Sequence, residues 1–129
     1  MDNYGTRATN DITTRSKAES VIERVYLSVE HLCTAQGDVR KRLIGAIMTL
    51  LPLQTRDFPE ELQADFEWVI NQSTKYKSQF PQDEGNIEAT MKRIKNSTGE
   101  KIAKKIFSIY STIQDIRGFP LLEYRNPRD

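Results

Sequence analysis

Between Asn86 and Arg117 the apolar and small residues recur at steps of three and four: Ile87, Met91, Ile94, Thr98, Ile102, Ile106, Ile109, Ile113 and Ile116. That spacing is one face of an α-helix; a strand would alternate its faces every second residue. Ala103, Phe107 and Tyr110 widen the apolar arc in the second half of the stretch. An arc that wide is covered on more than one side, which predicts a helix at the centre of a bundle. The phase runs unbroken through Asn96-Ser97-Thr98. However, Ser97 and Glu100 have the S-x-x-E form of a capping box, and Gly99 costs about 1 kcal/mol against alanine inside a helix. The stretch is therefore either one long helix or two nearly collinear helices that meet near Ser97.

The rest of the chain supplies partners for this helix. A first helix is expected from about Arg15 to Thr34, capped by Thr13 or Thr14. It buries Ala18, Val21, Ile22, Val25, Tyr26, Val29, Leu32 and Cys33, and Gly37 stops it. A second runs from about Val39 to Leu51, with Asp38 as N-cap and Pro52 as terminator; it is apolar around most of its circumference. Gly45 and Thr49 occupy its narrow remaining side and allow a close helix approach. A third starts at Asp57-Phe58-Pro59-Glu60, with Asp57 as cap, and buries Leu62, Phe66, Val69 and Ile70. Asn86 is the expected cap of the long helix. These elements predict an all-α fold, a single compact bundle of four to five helices over residues 14–118. A polar arm precedes it (residues 1–13), and a tail follows (residues 119–129). Pro120 and Pro127 keep that tail from being a continuous helix, and its Phe119, Leu121, Leu122 and Tyr124 call for burial, on the bundle or on a partner.

Composition excludes several function classes. The 129 residues carry a formal net charge of +1, so any electrostatic role must come from local segregation of charge. The chain has one cysteine, Cys33, which rules out an internal disulfide. The N-terminal sequence has no apolar core of a secretory signal, and no apolar run approaches the roughly 18 residues needed to span a bilayer. A cytoplasmic protein is the expectation, with no membrane partner. His31 and Cys33 are the only strong nitrogen and sulfur ligands. Two apart on a helix they point away from each other, so no metal site and no cofactor is expected. Glycine-rich phosphate loops and a nucleophile elbow are both lacking.

The segregated charge lies in two places. Lys92, Arg93, Lys95, Lys101, Lys104 and Lys105 are opposed by Glu100 alone. On a continuous helix Arg93, Lys101 and Lys104 share the side away from the apolar stripe, over roughly 17 Å, a length that meets several phosphates of a nucleic acid. Arg40, Lys41 and Arg42 crowd the first turn of the second helix, the wrong end for cations against its dipole. They point either to an anion or, as the preferred reading, to an internal salt bridge. The acidic third helix (Glu60, Glu61, Asp65, Glu67) is itself a candidate partner for the basic helix.

On the first helix Arg24, Leu27 and His31 fall on the side opposite the buried stripe. An arginine and a histidine with six residues between them resemble the signature of HEPN-type ribonucleases, a family of small helical bundles that often dimerise. The resemblance covers Arg24, His31 and the all-helical length; Val25 stands where that family usually carries a polar residue. It implies an arginine that steadies a phosphate and a histidine that acts as acid or base. The preferred reading of the whole is a non-catalytic, self-associating interaction protein, with a second copy or another protein as partner. Leu27 and Trp68, apolar residues off their helices' buried stripes, are its candidate contact residues. The alternatives are a nucleic-acid-associated module using Arg93, Lys101, Lys104, Arg40, Lys41 and Arg42, and the Arg24/His31 nuclease.

Overall fold

The computed structural model describes residues 2–80 and 84–117; for residues 2–17 and 117 it is the course of the helix that is described. Five helices pack against one another: α1 (Asp2–Thr34), α2 (Val39–Leu50), α3 (Glu60–Ser73), α4 (Asn86–Arg93) and α5 (Asn96–Arg117), with a 3-10 turn at Thr55–Asp57. No strand occurs among the described residues. The fold is the all-α bundle expected. The C-terminal segment 119–129, read as an apolar-containing tail, lies outside the described residues.

The isoleucine ladder places α5 as the spacing predicts. Ile102, Ile106, Ile109 and Ile113 are buried in the core with Val21, Val25, Leu43, Ala46, Ile47, Leu50, Leu62, Phe66 and Val69. α5 packs on α1, α2 and α3, while α4 packs on α2 and α3. α1 and α2 form a close hairpin. Small residues set its spacing: the buried Ser28 hydroxyl donates to the Ala46 carbonyl at 3.0 Å, and the His31 ring sits on Gly45. The close approach read from Gly45 is therefore the α1 contact.

The long helix is two helices, and the break comes earlier than Ser97. α4 ends at Arg93, and Ile94 leaves the helix with φ −78° and ψ 160° while its side chain stays in the core. α5 then starts at Asn96, with the Lys95 carbonyl accepting from the Gly99 N–H at 3.0 Å. Gly99 is thus inside α5 and does not mark its boundary. An added Cβ there would lie 3.1 Å from Val39 Cγ1 and 3.4 Å from Leu43 Cδ1, so the missing side chain lets α5 approach α2 closely.

Other helix ends also depart from the expectation. α1 extends back to Asp2, through the segment read as an arm and past Thr13 and Thr14. No proline interrupts that segment, and adding residues to an existing helix avoids the costly nucleation step. Asp38 caps α2 as predicted, accepting from the Lys41 N–H at 3.1 Å. Asp57 does not cap α3; Pro59 occupies that position, and the Asp57 carboxylate accepts from the Gln54 N–H to close the 3-10 turn. Gly85 takes the cap position of α4, while the Asn86 side chain accepts from the Ser78 N–H. The loop before α4 is pinned by the buried Thr90, whose hydroxyl accepts from the Tyr76 N–H and donates to the Tyr76 carbonyl.

Candidate partner-docking cleft

An open groove of about 870 Å³ lies where the C-terminal half of α1, the first turn of α2 and the N-terminal half of α5 meet. Val29 and Leu32 of α1, Val39 of α2, and Ala103 and Phe107 of α5 form its apolar floor and walls. Phe107 is 57% exposed. The wide apolar arc of α5 is therefore not covered on every side: Ile102, Ile106 and Ile109 face the core, and the Ala103–Phe107 flank faces the groove. An aromatic seam continues from it, with the Phe107 and Tyr110 rings 6.3 Å apart and Tyr110 6.3 Å from Tyr26. Tyr26 meets Tyr110 while Leu32 and Cys33 lie beside the first turns of α5, so the two helices run antiparallel.

The rim is polar. Lys101, Lys104 and Glu100 of α5, Arg42 and Asp38 beside α2, and Cys33 of α1 line it with Asn96 and Ser97. Asp38 is already matched, since its carboxylate meets Arg40 at 3.0 Å. That guanidinium, together with the Lys41 N–H, holds the Asp38 carboxyl below the usual aspartate range. Lys101 and Lys104 are exposed, and no ion pair joins either to a carboxylate among the described residues. The groove thus offers an apolar floor beside a net positive edge.

Of the six predicted cations, the fold brings Arg42, Lys101 and Lys104 together and sends the others elsewhere. Arg42 turns away from solvent: Nη1 donates to the Leu32 carbonyl at 2.7 Å and Nε to the Gly37 carbonyl at 3.1 Å. Arg40 donates to the Ile94 carbonyl at 3.1 Å as well as to Asp38. The two arginines at the unfavourable end of α2 therefore serve the C-terminal carbonyls of α1 and α4, where cations are favourable. The expected salt bridge is present as Arg40–Asp38. Lys41 is exposed and lines a smaller groove with Arg40, Lys92, Ile44 and Met91 and with the carboxylates of Asp38 and Glu88. The helix breaks at Ile94, just after Arg93, whose guanidinium lies 5.3 Å from the centre of the Tyr76 ring. Arg93 and the pair Lys101 and Lys104 therefore lie on two helices, not on one continuous face. Acidic α3 engages one lysine of α5, Lys105, which pairs with Asp65 at 3.3 Å and sits over the Trp68 ring.

Arg24 and His31 each make a contact within the α1–α2 hairpin. Both turn toward α2: Arg24 Nη1 donates to the Thr49 carbonyl at 3.1 Å, and His31 covers Gly45. Arg24 lines a shallow groove with Ser20, Leu53 and Asp57 in which His31 has no part. Leu27 of α1 and Trp68 of α3 are exposed. Among the described residues no group of three or more His, Cys, Asp and Glu side chains is placed to hold a metal ion, and no described helix is long and apolar enough to cross a membrane. Comparison of the chain with known protein families, with curated proteins and with solved structures gave no match.

The residues that make the groove, Val29, Val39, Ala103 and Phe107, were not singled out as a surface by the sequence. Ala103 and Phe107 carry one signal, the excess width of the α5 apolar arc; Val29 and Val39 sit in helical stripes that do not distinguish a groove from a core.

Proposed function

We propose that this chain is a non-catalytic helical interaction protein that self-associates and receives a further protein partner in the α1–α2–α5 groove. The observation that carries the reading is the uncovered Ala103–Phe107 flank of α5, next to Lys101 and Lys104. An exposed apolar surface rimmed by polar groups is the common mark of a protein–protein contact. Two antiparallel helices with a furrow between them suit an amphipathic helix that lays its apolar face on Phe107 and its carboxylates along the two lysines. Of the cations that would widen this into a phosphate-binding track, Arg40 and Arg42 donate to backbone carbonyls and Arg93 lies against the Tyr76 ring. That favours a protein over a nucleic acid.

A photo-reactive amino acid placed at Phe107 in the full chain tests the reading. In the cells that make the protein, it is expected to yield a protein adduct that the double substitution Lys101→Glu, Lys104→Glu suppresses, and a probe at Glu23 is expected to yield none. An adduct equal at both positions, or unchanged by the charge reversal, removes the groove as a docking site. Fluorescence anisotropy with labelled RNA and duplex DNA separates the other class of partner. Binding that weakens steeply with salt and disappears in the same double variant would replace the protein partner by a nucleic acid.

A further inference from the structure

The apolar strip of the groove does not stop at Phe107. It continues along the α1–α5 furrow through Tyr110 and Tyr26 toward the C-terminal end of α5, and Tyr26 is 48% exposed. The chain that leaves that end reads Gly118-Phe119-Pro120-Leu121-Leu122-Glu123-Tyr124-Arg125. A glycine directly after a helix allows the chain to turn back. Pro120 then favours extended backbone at Phe119 and at itself, which lowers the entropy lost on docking.

We propose that residues 119–125 of this chain run back antiparallel to α5 and occupy the groove, so that a protein partner must displace them. The inference rests on the docking role of the groove stated above and adds its regulation.

Reach and charge together select this occupant. Lys104 lies 13 residues before Arg117, about 20 Å along the helix, and Glu123 lies six residues after it, about 20 Å along an extended chain. Glu100 lies 17 residues before Arg117 and Arg125 eight after it, about 26 Å in each direction. The returning segment therefore meets Lys104 with a glutamate and Glu100 with an arginine. The two spacings also agree by themselves: about 6 Å between Glu100 and Lys104 on the helix, about 6.6 Å between Glu123 and Arg125 on the segment. Laid parallel to α5, the same segment would turn Glu123 toward Glu100 and Arg125 toward Lys104. Lys101 stands level with Tyr124, between the two pairs. The other charged groups of the groove are already engaged, Asp38 by Arg40 and Arg42 by the Leu32 and Gly37 carbonyls. Leu121 and Leu122, about 13–17 Å from the end of α5, fall level with the Phe107–Tyr110 stretch at about 10–15 Å. A second copy carries the same segment, but a short tether presents the chain's own at an effective concentration in the millimolar range.

A photo-reactive amino acid at Phe107 in the purified full chain tests the proposal, with one at exposed Glu61 of α3 as control. Trypsin digestion is expected to show the Phe107 probe joined to peptide 118–125, and the Glu61 probe not. Leu121→Ser with Leu122→Ser is expected to lower that adduct at least about tenfold. Lys104→Glu is expected to lower it about 2- to 5-fold, and Glu123→Lys in the same chain to restore it. In an equal mixture of 15N-labelled and unlabelled chains each adduct is expected to carry one isotope only. No adduct to peptide 118–125, or one unmoved by the leucine substitutions, overturns the proposal. Failure of the charge exchange to restore the adduct overturns it too, and mixed-isotope adducts assign the groove to a second copy instead.

In cells, the protein adduct at Phe107 is expected to rise when Leu121→Ser and Leu122→Ser release the groove; an unchanged yield overturns the regulation. The two readings fail separately. A protein adduct in cells without the tail adduct in the purified chain removes the tail and keeps the partner. A tail adduct with no protein adduct in cells, from either the unsubstituted or the leucine variant, removes the partner and keeps the tail in the groove.

Discussion

Replacing Gly45 by alanine should change sign with the presence of one side chain. On an open helix face the substitution stabilises by about 0.8–1.0 kcal/mol, because alanine loses less backbone freedom on folding. At Gly45 the new methyl would lie 2.0 Å from His31 Nε2, 2.4 Å from Cε1 and 2.7 Å from Cδ2. The ring must leave its half-buried place between the two helices, and forced repacking of this kind costs about 1–3 kcal/mol. Gly45→Ala alone is therefore expected to destabilise by about 0–2 kcal/mol, the repacking cost less the helix gain. In a His31→Ala background the obstruction is gone, and the same substitution should stabilise by about 1 kcal/mol. The coupling between the two sites is the difference, about 1–3 kcal/mol. Urea unfolding of the four proteins measures it, since at slopes of about 1–3 kcal/mol/M such differences move midpoints by several tenths of a molar or more. If Gly45→Ala stabilises the unsubstituted protein as much as it stabilises His31→Ala, the ring yields freely. The account of His31 as the packing partner of Gly45 would then fail.

Two further outcomes follow from the capping contacts. Arg42→Met keeps an apolar stem but removes the donors to the Leu32 and Gly37 carbonyls, and should cost about 1–3 kcal/mol in chemical unfolding. Lys41→Met, one residue away and exposed, should change the stability of the monomer by less than about 0.5 kcal/mol. Asp38 should contribute to the acid limb of the stability curve. Arg40 and the Lys41 N–H lower its pKa in the folded state, so its contribution is full above the ordinary aspartate range and is lost as pH falls through the depressed value. Thermal melting of Asp38→Asn against pH should show a shallower decline on the acid side than the unsubstituted protein; an identical decline would remove Asp38 from the acid response.

The buried side of this fold was legible because burial is periodic. Ile102, Ile106, Ile109 and Ile113, or Leu62, Phe66 and Val69, declare a helix face whatever the neighbouring helix turns out to be. Helix boundaries were less legible because the local signals at each end had other work. Ser97 and Glu100 spell a capping box, yet α5 begins before them at Asn96, and Gly99 packs inside it against Val39 and Leu43. Asp57 and Asn86 have capping side chains, but each accepts from a backbone N–H of the segment before it, at Gln54 and Ser78. At Asp57 and Asn86 a loop contact outweighed a preference of about 1 kcal/mol.

The charged surface was legible in number and not in direction. A helical wheel assigns arginine and lysine alike to solvent, and in this bundle the two behave differently. Arg24 reaches the end of α2, Arg42 the end of α1, and Arg40 the end of α4, each satisfying a carbonyl that its own helix cannot. Arg93 stacks on Tyr76. A planar guanidinium can bond two carbonyls, or a carbonyl and a carboxylate, from one position; an ammonium on a flexible stem holds such an arrangement less well. These four arginines are therefore part of how the helices are joined. The charge left for a partner rests on lysines, Lys101 and Lys104 beside the groove. No spacing rule separates the two groups, because the carbonyls that Arg24, Arg40 and Arg42 satisfy lie 10 to 54 residues away in the chain.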